Sequence, residues 1–229
     1  MNIPVIIQAR MSSKRFPGKV LYPMNGKPLM MYLLERLRQC FGIDGILVAT
    51  SQDTSDDAVE NFCKANNILC FRGDLENVAR RFQALIAEFD VPAFARISAD
   101  SPLMDPAVVE RAVKIFKTGE HDIVTNVLPR SYPKGQSVEV IKSEVFLSAF
   151  PAILKPSYCE HIISYFYEHR ESFSIYNFSS EKNASGIQLS VDTKEDMKVF
   201  EEIIRRMERP HWEYGWEEII RIREQVLVA

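Results

Sequence analysis

Short apolar runs alternate with longer amphipathic stretches along most of this chain. Val5-Ile6-Ile7 is wholly apolar and gives way to a polar, basic stretch, the pattern of a buried strand that runs into a loop. Pro28 opens a helix bearing Leu29, Tyr32, Leu33 and Leu37, since proline is tolerated in a first turn. Ile46-Leu47-Val48-Ala49 reads as the second strand. Thr54 or Ser55 then caps a helix with Asp56 and Asp57 at its positive end. Residues 68–71 form a third strand, and Asp74 caps a helix carrying Val78, Phe82, Leu85, Ile86 and Phe89. Residues 93–98 make the next strand. Asp105-Pro106 starts a helix with Val108, Val109, Ala112, Val113 and Phe116, and residues 122–127 return to strand character.

Four strand–helix repeats of this kind predict an α/β fold with a Rossmann-like, mostly parallel sheet flanked by helices. Beyond them the pattern breaks. Pro129, Pro133 and Gly135 interrupt it, residues 138–141 look like a strand, and Pro151 and Pro156 bracket a second irregular stretch. Residues 128–180 therefore read as a subsidiary lobe inserted into a single domain spanning 1–229. Residues 187–191 regain strand character, Thr193 caps a helix with Val199, Phe200, Ile203 and Ile204, and a last helix runs from about Trp216.

Composition narrows the classes. Hydrophobic residues make up 46% and charged residues 26%, which excludes disordered and collagen-like chains. No apolar run approaches the ~20 residues of a membrane span, and the start lacks a signal peptide's basic and apolar regions, so a cytoplasmic protein is expected. The four cysteines (Cys40, Cys63, Cys70, Cys159) form no C-x-x-C pair and read as reduced thiols. His161 and His169, eight apart on an expected helix, read as exposed or structural.

Charge is divided. The net −3 resolves into +5 over residues 1–34, from Arg10, Lys14, Arg15, Lys19 and Lys27 without an acid, and −8 over the rest. A cationic segment on an acidic chain suits a small polyanion better than nucleic acid.

That segment centres on Gln8-Ala9-Arg10-Met11-Ser12-Ser13-Lys14-Arg15-Phe16-Pro17-Gly18-Lys19. Leaving a parallel strand at its carboxyl end, such a loop lies where ligands bind, and it can offer backbone N–H groups and cationic side chains to phosphates. A solvated basic loop is the plainer alternative. Neither G-x-G-x-x-G nor G-x-x-x-x-G-K-[ST] is present; Leu21 stands where the latter needs its first glycine before Gly26-Lys27. Asp100, in Arg96-Ile97-Ser98-Ala99-Asp100-Ser101-Pro102-Leu103, emerges at the same sheet edge, or serves its turn alone. Asp192, in Ser190-Val191-Asp192-Thr193, also ends a strand. Magnesium favours one or two carboxylates plus phosphate oxygens, which Asp100 and Asp192 supply if their strands are neighbours. Asp196 reads as a first-turn residue that complements the helix dipole.

The basic loop, the Ser-Ala-Asp-Ser-Pro-Leu segment and the Ser-Val-Asp-Thr-x-x-Asp segment, in this order, resemble the cytidylyltransferase family, which includes synthetases of CMP-activated acylneuraminate and 3-deoxy-manno-octulosonate. Phe71-Arg72-Gly73-Asp74 and Tyr132-Pro133-x-Gly135-x-x-Val138-Glu139-Val140 resemble its spore coat polysaccharide biosynthesis protein F branch. The resemblance implies that Ala9, Arg10, Ser13, Arg15 and Lys19 bind CTP, that Arg72 lies near the base, and that Asp100 and Asp192 hold Mg2+. It also implies that residues 128–180 contribute to a homodimer. Where the branch has aspartate, arginine and arginine, this chain has Ser137, Cys159 (of Cys159-Glu160-His161) and Gln188, all expected on the sugar-facing side.

The expected reaction is transfer of CMP from CTP to an acidic or nonulosonic sugar for surface polysaccharide, with pyrophosphate released. Arg10, Lys19 and Asp100 are its expected catalytic groups, and no nucleic acid or membrane partner is implied. Two alternatives stay open: a glycosyltransferase, although the chain has no Asp-x-Asp metal pair, and a non-catalytic nucleotide-binding subunit.

Overall fold

Along the chain, β1 (Val5–Gln8) is followed by a small hairpin of β2 (Pro23–Met24) and β3 (Lys27–Pro28), then α1 (Leu29–Leu37), β4 (Ile46–Ser51), α2 (Asp57–Ala65) and β5 (Leu69–Gly73). Next come α3 (Val78–Phe89), β6 (Ala93–Ser98), α4 (Pro106–Phe116), β7 (Ile123–Thr125) and β8 (Glu139–Lys142). The last elements are α5 (Ser143–Ile153), α6 (Ser164–Glu168), β9 (Ile175–Asn177), α7 (Lys194–Arg205) and α8 (Trp216–Val228). This computed structural model describes residues 2–155, 158–159 and 161–228; Pro156, read from the sequence as a break, and Glu160 of Cys159-Glu160-His161 lie outside them.

Seven strands form one sheet in the order β5-β4-β1-β6-β8-β7-β9. Neighbours in β5-β4-β1-β6 are parallel, β8 is antiparallel to both β6 and β7, and β7 and β9 are parallel. Six of the seven strands thus point the same way, in agreement with the mostly parallel α/β fold read from the sequence. Strand β1 is buried on both faces, as a central parallel strand should be. Val5 and Ile7 pack with residues of α1 and α4 on one side of the sheet, and Ile6 packs with α3 and α5 on the other. Phe16, Tyr32, Phe200 and Ile219 form a third cluster that seats α7 and α8. Fully buried Arg36 ties α1 to this region by donating to the carbonyls of Met104 (2.6 Å), Tyr214 (2.6 Å) and His211. Among the described residues no helix is long and apolar enough to cross a membrane.

Several local expectations are corrected. Asp53, not Thr54 or Ser55, makes the cap after β4: it accepts from Ser55 N at 2.9 Å and closes a short 3-10 turn, which postpones α2 to Asp57. Asn77, not Asp74, caps α3 through Arg80 N at 2.9 Å, because Asp74 is occupied by the amides of Glu76 and Asn77 in the preceding turn. His161 and His169 flank the short α6 rather than sharing a helix. The cysteines are free thiols, as expected.

Residues 128–180 supply β8 to the interior of the sheet and β9 to its edge, so both strands of the segment read as a lobe belong to the main sheet. Residues 187–191 are not a strand. They cross Gly135, which has φ +93° and where an added Cβ would lie 2.6 Å from Ser190 N, and they pair with the chain there only through an isolated bridge between Lys134 and Gln188. Two bonds remain there, Lys134 N to Ile187 O at 2.9 Å and Leu189 N to Lys134 O at 2.8 Å.

Candidate active site

The loop after β1 begins with buried Ala9, whose amide donates to Ala49 O at 3.1 Å. It folds around Met11, whose carbonyl accepts from Ser13 N at 2.9 Å and from Gly18 N at 2.8 Å. Phe16 drops into the third core cluster and fixes the middle of the loop, and Gly18, with φ +76°, turns the chain into a 3-10 helix over Lys19–Leu21.

That turn buries Lys19 (6% exposed) and sends its ammonium to three acceptors. Nζ lies 2.9 Å from Asp100 Oδ2, 3.1 Å from Asp192 Oδ1 and 2.8 Å from Val191 O, which uses all three ammonium hydrogens. Val191 N donates to Asp100 O at 2.8 Å, so a single backbone bond brings the two aspartates together without a strand beneath Asp192. Arg15 Nη2 reaches Asp192 Oδ1 at 2.8 Å, and Gln188 Nε2 reaches its Oδ2 at 3.2 Å. Burial pushes the Asp192 carboxyl up, but Lys19, Arg15 and Gln188 outweigh it and hold the group below the usual carboxylate range. Asp196 does more than complement the dipole of α7. In a capping box with Thr193 its carboxylate also accepts from Asp192 N at 2.9 Å, fixing the backbone that presents Asp192.

The far wall of the site comes from β1 and β6, backed by β8. Arg96 donates through Nε and Nη2 to Gln8 Oε1 (3.1 and 2.8 Å) and through Nη1 to Glu139 Oε2 at 2.9 Å. Tyr167 shares a 2.8 Å hydrogen bond with Thr125 Oγ1 and donates to Glu139 Oε1 at 3.4 Å. Burial, then the Glu139 charge, raise the Tyr167 phenol well above its ordinary value, so it stays a neutral donor.

These walls enclose a cavity of about 310 Å3 lined by Ala9, Arg10, Ser13, Arg15, Lys19, Asp100 and Asp192, all anticipated, together with Gln8, Lys14, Arg96, Ser98 and His161. Arg72 is not among its lining residues. On β5 it donates to the carbonyls of Ser51 and Asp53, pairs with Asp57 and Glu60 at 2.7 Å each, and borders a second depression with Gln52, Gly73 and Asp74. Nor do Ser137, Cys159 and Gln188 line the main cavity. Ser137 accepts from Arg130 Nη1 at 2.8 Å, Cys159 contacts the carbonyls of Leu154 and Lys155, and Gln188 acts through Asp192.

Sequence reasoning missed the Gln8–Arg96–Glu139 network. Its only trace in the chain is a polar residue near the carboxyl end of each of two otherwise apolar strands. Chemically, the cavity sets a cationic loop against two carboxylates that a single ammonium brings within reach of one another. Among the described residues no cluster of three or more His, Cys, Asp or Glu side chains could hold a metal ion. Asp100 and Asp192 are a two-carboxylate, all-oxygen donor pair, which suits a hard divalent cation that takes its other ligands from phosphate and water.

Comparison with known proteins identifies the family. Spore coat polysaccharide biosynthesis protein SpsF of Bacillus subtilis is 30% identical over 220 residues, covering 91% of this chain and 89% of that protein. The 8-amino-3,8-dideoxy-manno-octulosonate cytidylyltransferase of Shewanella amazonensis is 34% identical over 130 residues, 55% of this chain and 52% of that one. A cytidylyltransferase from Leptospira borgpetersenii has the same fold, with a TM-score of 0.93 at 24% identity over 100% of this chain and 96% of that one. The cytidylyltransferase family model matches residues 4–224, nearly from end to end. The chain belongs to the cytidylyltransferase family.

Proposed function

We propose that this protein is a Mg2+-dependent enzyme that transfers CMP from CTP to an acidic sugar. The observation that carries this reading is the placement of Lys19 between Asp100 and Asp192, at the mouth of a loop bearing Arg10, Ser13 and Arg15. A sugar hydroxyl attacks the α-phosphorus of CTP, the bond from that phosphorus to the β-phosphate bridging oxygen breaks, pyrophosphate departs and the hydroxyl proton is lost. The nucleotide phosphates lie along the loop, where backbone amides, Arg10, Arg15 and Lys19 neutralise the charge that builds on pyrophosphate. Asp100 and Asp192 hold the metal, which polarises the α-phosphate when bound. Arg96 and Gln8 face the acceptor and orient its hydroxyls or its carboxylate, and Glu139 holds Arg96 from behind. Arg72, which borders the second depression, serves the cytidine end from there.

The acidic acceptor is favoured by the Shewanella relative, whose named substrate is a sugar acid, and by the guanidinium that Arg96 contributes to the far wall. A cytoplasmic homodimer belongs to the same reading, and sedimentation of the purified chain tests the dimer. The function is tested by screening CTP, UTP, ATP and GTP against nonulosonic and other sugar acids for pyrophosphate release. CTP-dependent release that Asp100→Asn and Asp192→Asn both suppress is the expected result. Nucleoside diphosphate release from a sugar nucleotide would overturn it in favour of glycosyl transfer.

A further inference from the structure

Asp56 occupies the position from which a carboxylate ordinarily caps its own helix, yet its side chain makes no capping bond to α2. It reaches back across the chain instead. Oδ1 accepts from Met11 N at 2.6 Å, and Oδ2 accepts from Ser51 N at 3.0 Å and from the Ser51 hydroxyl. The residue has no exposed surface, and a buried carboxylate is costly unless it is fully hydrogen-bonded and balanced by charge. Both conditions are met. Three donors converge on two oxygens, and the buried Arg81 guanidinium, pushed down to about 10 by burial, is drawn back toward its charged form by Asp56.

What Asp56 grips is the hub of the basic loop. The Met11 amide is held by Asp56 while its carbonyl gathers Ser13 N and Gly18 N, and its side-chain methyl rests 3.5 Å from where a Gly18 Cβ would lie. Arg10 precedes this hub, and Lys19 follows the Gly18 turn. One buried carboxylate therefore controls the path of a loop whose own residues lack acids altogether.

We infer that Asp56 is a positioning residue for nucleotidyl transfer: through Met11 it sets the loop so that Arg10, Ser13, Arg15 and Lys19 converge before the nucleotide arrives. Preorganisation of this kind lowers the ordering cost of binding and keeps the charges aimed where negative charge develops. The inference rests on the proposed CTP site for the identity of the ligand, though not for the geometry of the loop.

The test compares Asp56→Ala and Asp56→Asn with the wild-type full chain, by amide hydrogen exchange without nucleotide, by calorimetric titration of Mg2+ and CTP, and by steady-state kinetics. In Asp56→Ala, exchange at Met11, Ser13 and Gly18 should quicken by about tenfold or more while β6 and α4 keep their protection. The CTP dissociation constant should rise by about ten- to a hundredfold, the loss expected of charge-assisted hydrogen bonds, with the acceptor KM unchanged. Asp56→Asn keeps one acceptor oxygen but turns an amide NH2 toward donors that Asp56 accepts from, so it should loosen the loop in part, with exchange at Met11 and Gly18 measurably faster than wild type and CTP binding weakened by about two- to tenfold. Wild-type exchange at Met11 and Gly18 in Asp56→Ala would overturn the inference, as would loss of protection spread evenly across the sheet. If Asp56→Ala does not fold, Asp56→Asn decides alone, and identical loop exchange and CTP affinity to wild type would overturn it. A loosened loop with unchanged CTP affinity would uphold the positioning role and overturn the CTP site itself.

Discussion

The ammonium of Lys19 lies 2.9 Å from the Asp100 carboxylate, and the same nitrogen is 3.1 Å from Asp192. A buried cation that joins two carboxylates fixes both of them, and its own charge, at the head of the basic loop. Lys19→Met keeps most of the aliphatic stem and removes the charge. It should lower kcat/KM for CTP by about 10^2- to 10^3-fold, the range for losing one preorganised charge-stabilising donor. Pyrophosphate release under single-turnover conditions checks this.

The pairing of Arg96 with Glu139 predicts a different kinetic signature. Glu139→Gln leaves the loop and both aspartates untouched but weakens the grip on Arg96 and on the Tyr167 hydroxyl. The acceptor KM should rise by about tenfold while the CTP KM holds, since one charged hydrogen bond is worth about 1.5–3 kcal/mol. Equal shifts in both KM values would refute the division of the cavity into nucleotide and acceptor halves.

Gly135→Ala tests how Asp192 is placed. An added Cβ would meet Ser190 N at 2.6 Å and the Leu189 carbonyl carbon at 2.8 Å, at a φ of +93° that a side chain disfavours. The variant should lose about 1–3 kcal/mol of stability, from backbone strain alone. It should also need more Mg2+ for half-maximal rate, because residues 187–191 carry Asp192. Thermal unfolding and a Mg2+ titration read the two effects separately.

Acid stability turns on His211. The ring is buried, Nε2 lies 2.7 Å from Glu35 Oε2, and Nδ1 is without a hydrogen-bond partner among the described residues. Burial pushes the imidazole down to about 4 despite the pull of Glu35. Lys27 and His211, opposing burial, hold the Glu35 carboxyl below its ordinary value. The consistent assignment is a neutral imidazole that donates from Nε2 to an ionised carboxylate, with Lys27 supplying the positive charge. A histidine whose folded pKa is depressed binds fewer protons in the native state, so stability falls as pH drops from about 6.5, its unfolded value, toward 4. The lowered Glu35 acts in the same direction, its contribution being lost as pH falls below the ordinary carboxylate range. Chemical denaturation between pH 7 and 4.5 should show this decline, and His211→Gln should flatten it.

Much of this architecture is legible in the chain because it is local. The apolar run of β1, the Asp105-Pro106 start of α4 and the Thr193 cap of α7 each depend on residues within a few positions of one another. The cationic loop, Asp100 and Asp192 stand out for a similar reason: charged side chains just beyond apolar runs announce a sheet edge. What stays hidden depends on who pairs with whom. Nothing near residues 138–141 says that β8 slots between β6 and β7, so the meeting of Glu139 with Arg96 is invisible until the sheet closes. Residues 187–191 have a strand's composition, but they find only an isolated bridge, from Gln188 to Lys134. Asp56 and Asp74 have the composition of helix caps, yet their oxygens are taken by the amides of Met11 and Ser51 and by those of Glu76 and Asn77.

The reversed strand β8 has one more effect. Because it runs against its neighbours, it presents its first residue, Glu139, at the edge where the others end, and that residue is delivered by the connection that follows β7. Every residue that lines the cavity except His161 and Asp192 lies in the first hundred residues, whereas Glu139, which holds Arg96 from behind, hangs on a connection that can lengthen, shorten or change sequence without disturbing β1 or its loop. A fold wired in this way can keep one donor and exchange acceptors over evolutionary time. Variation among relatives in their choice of sugar should therefore concentrate between β7 and β8.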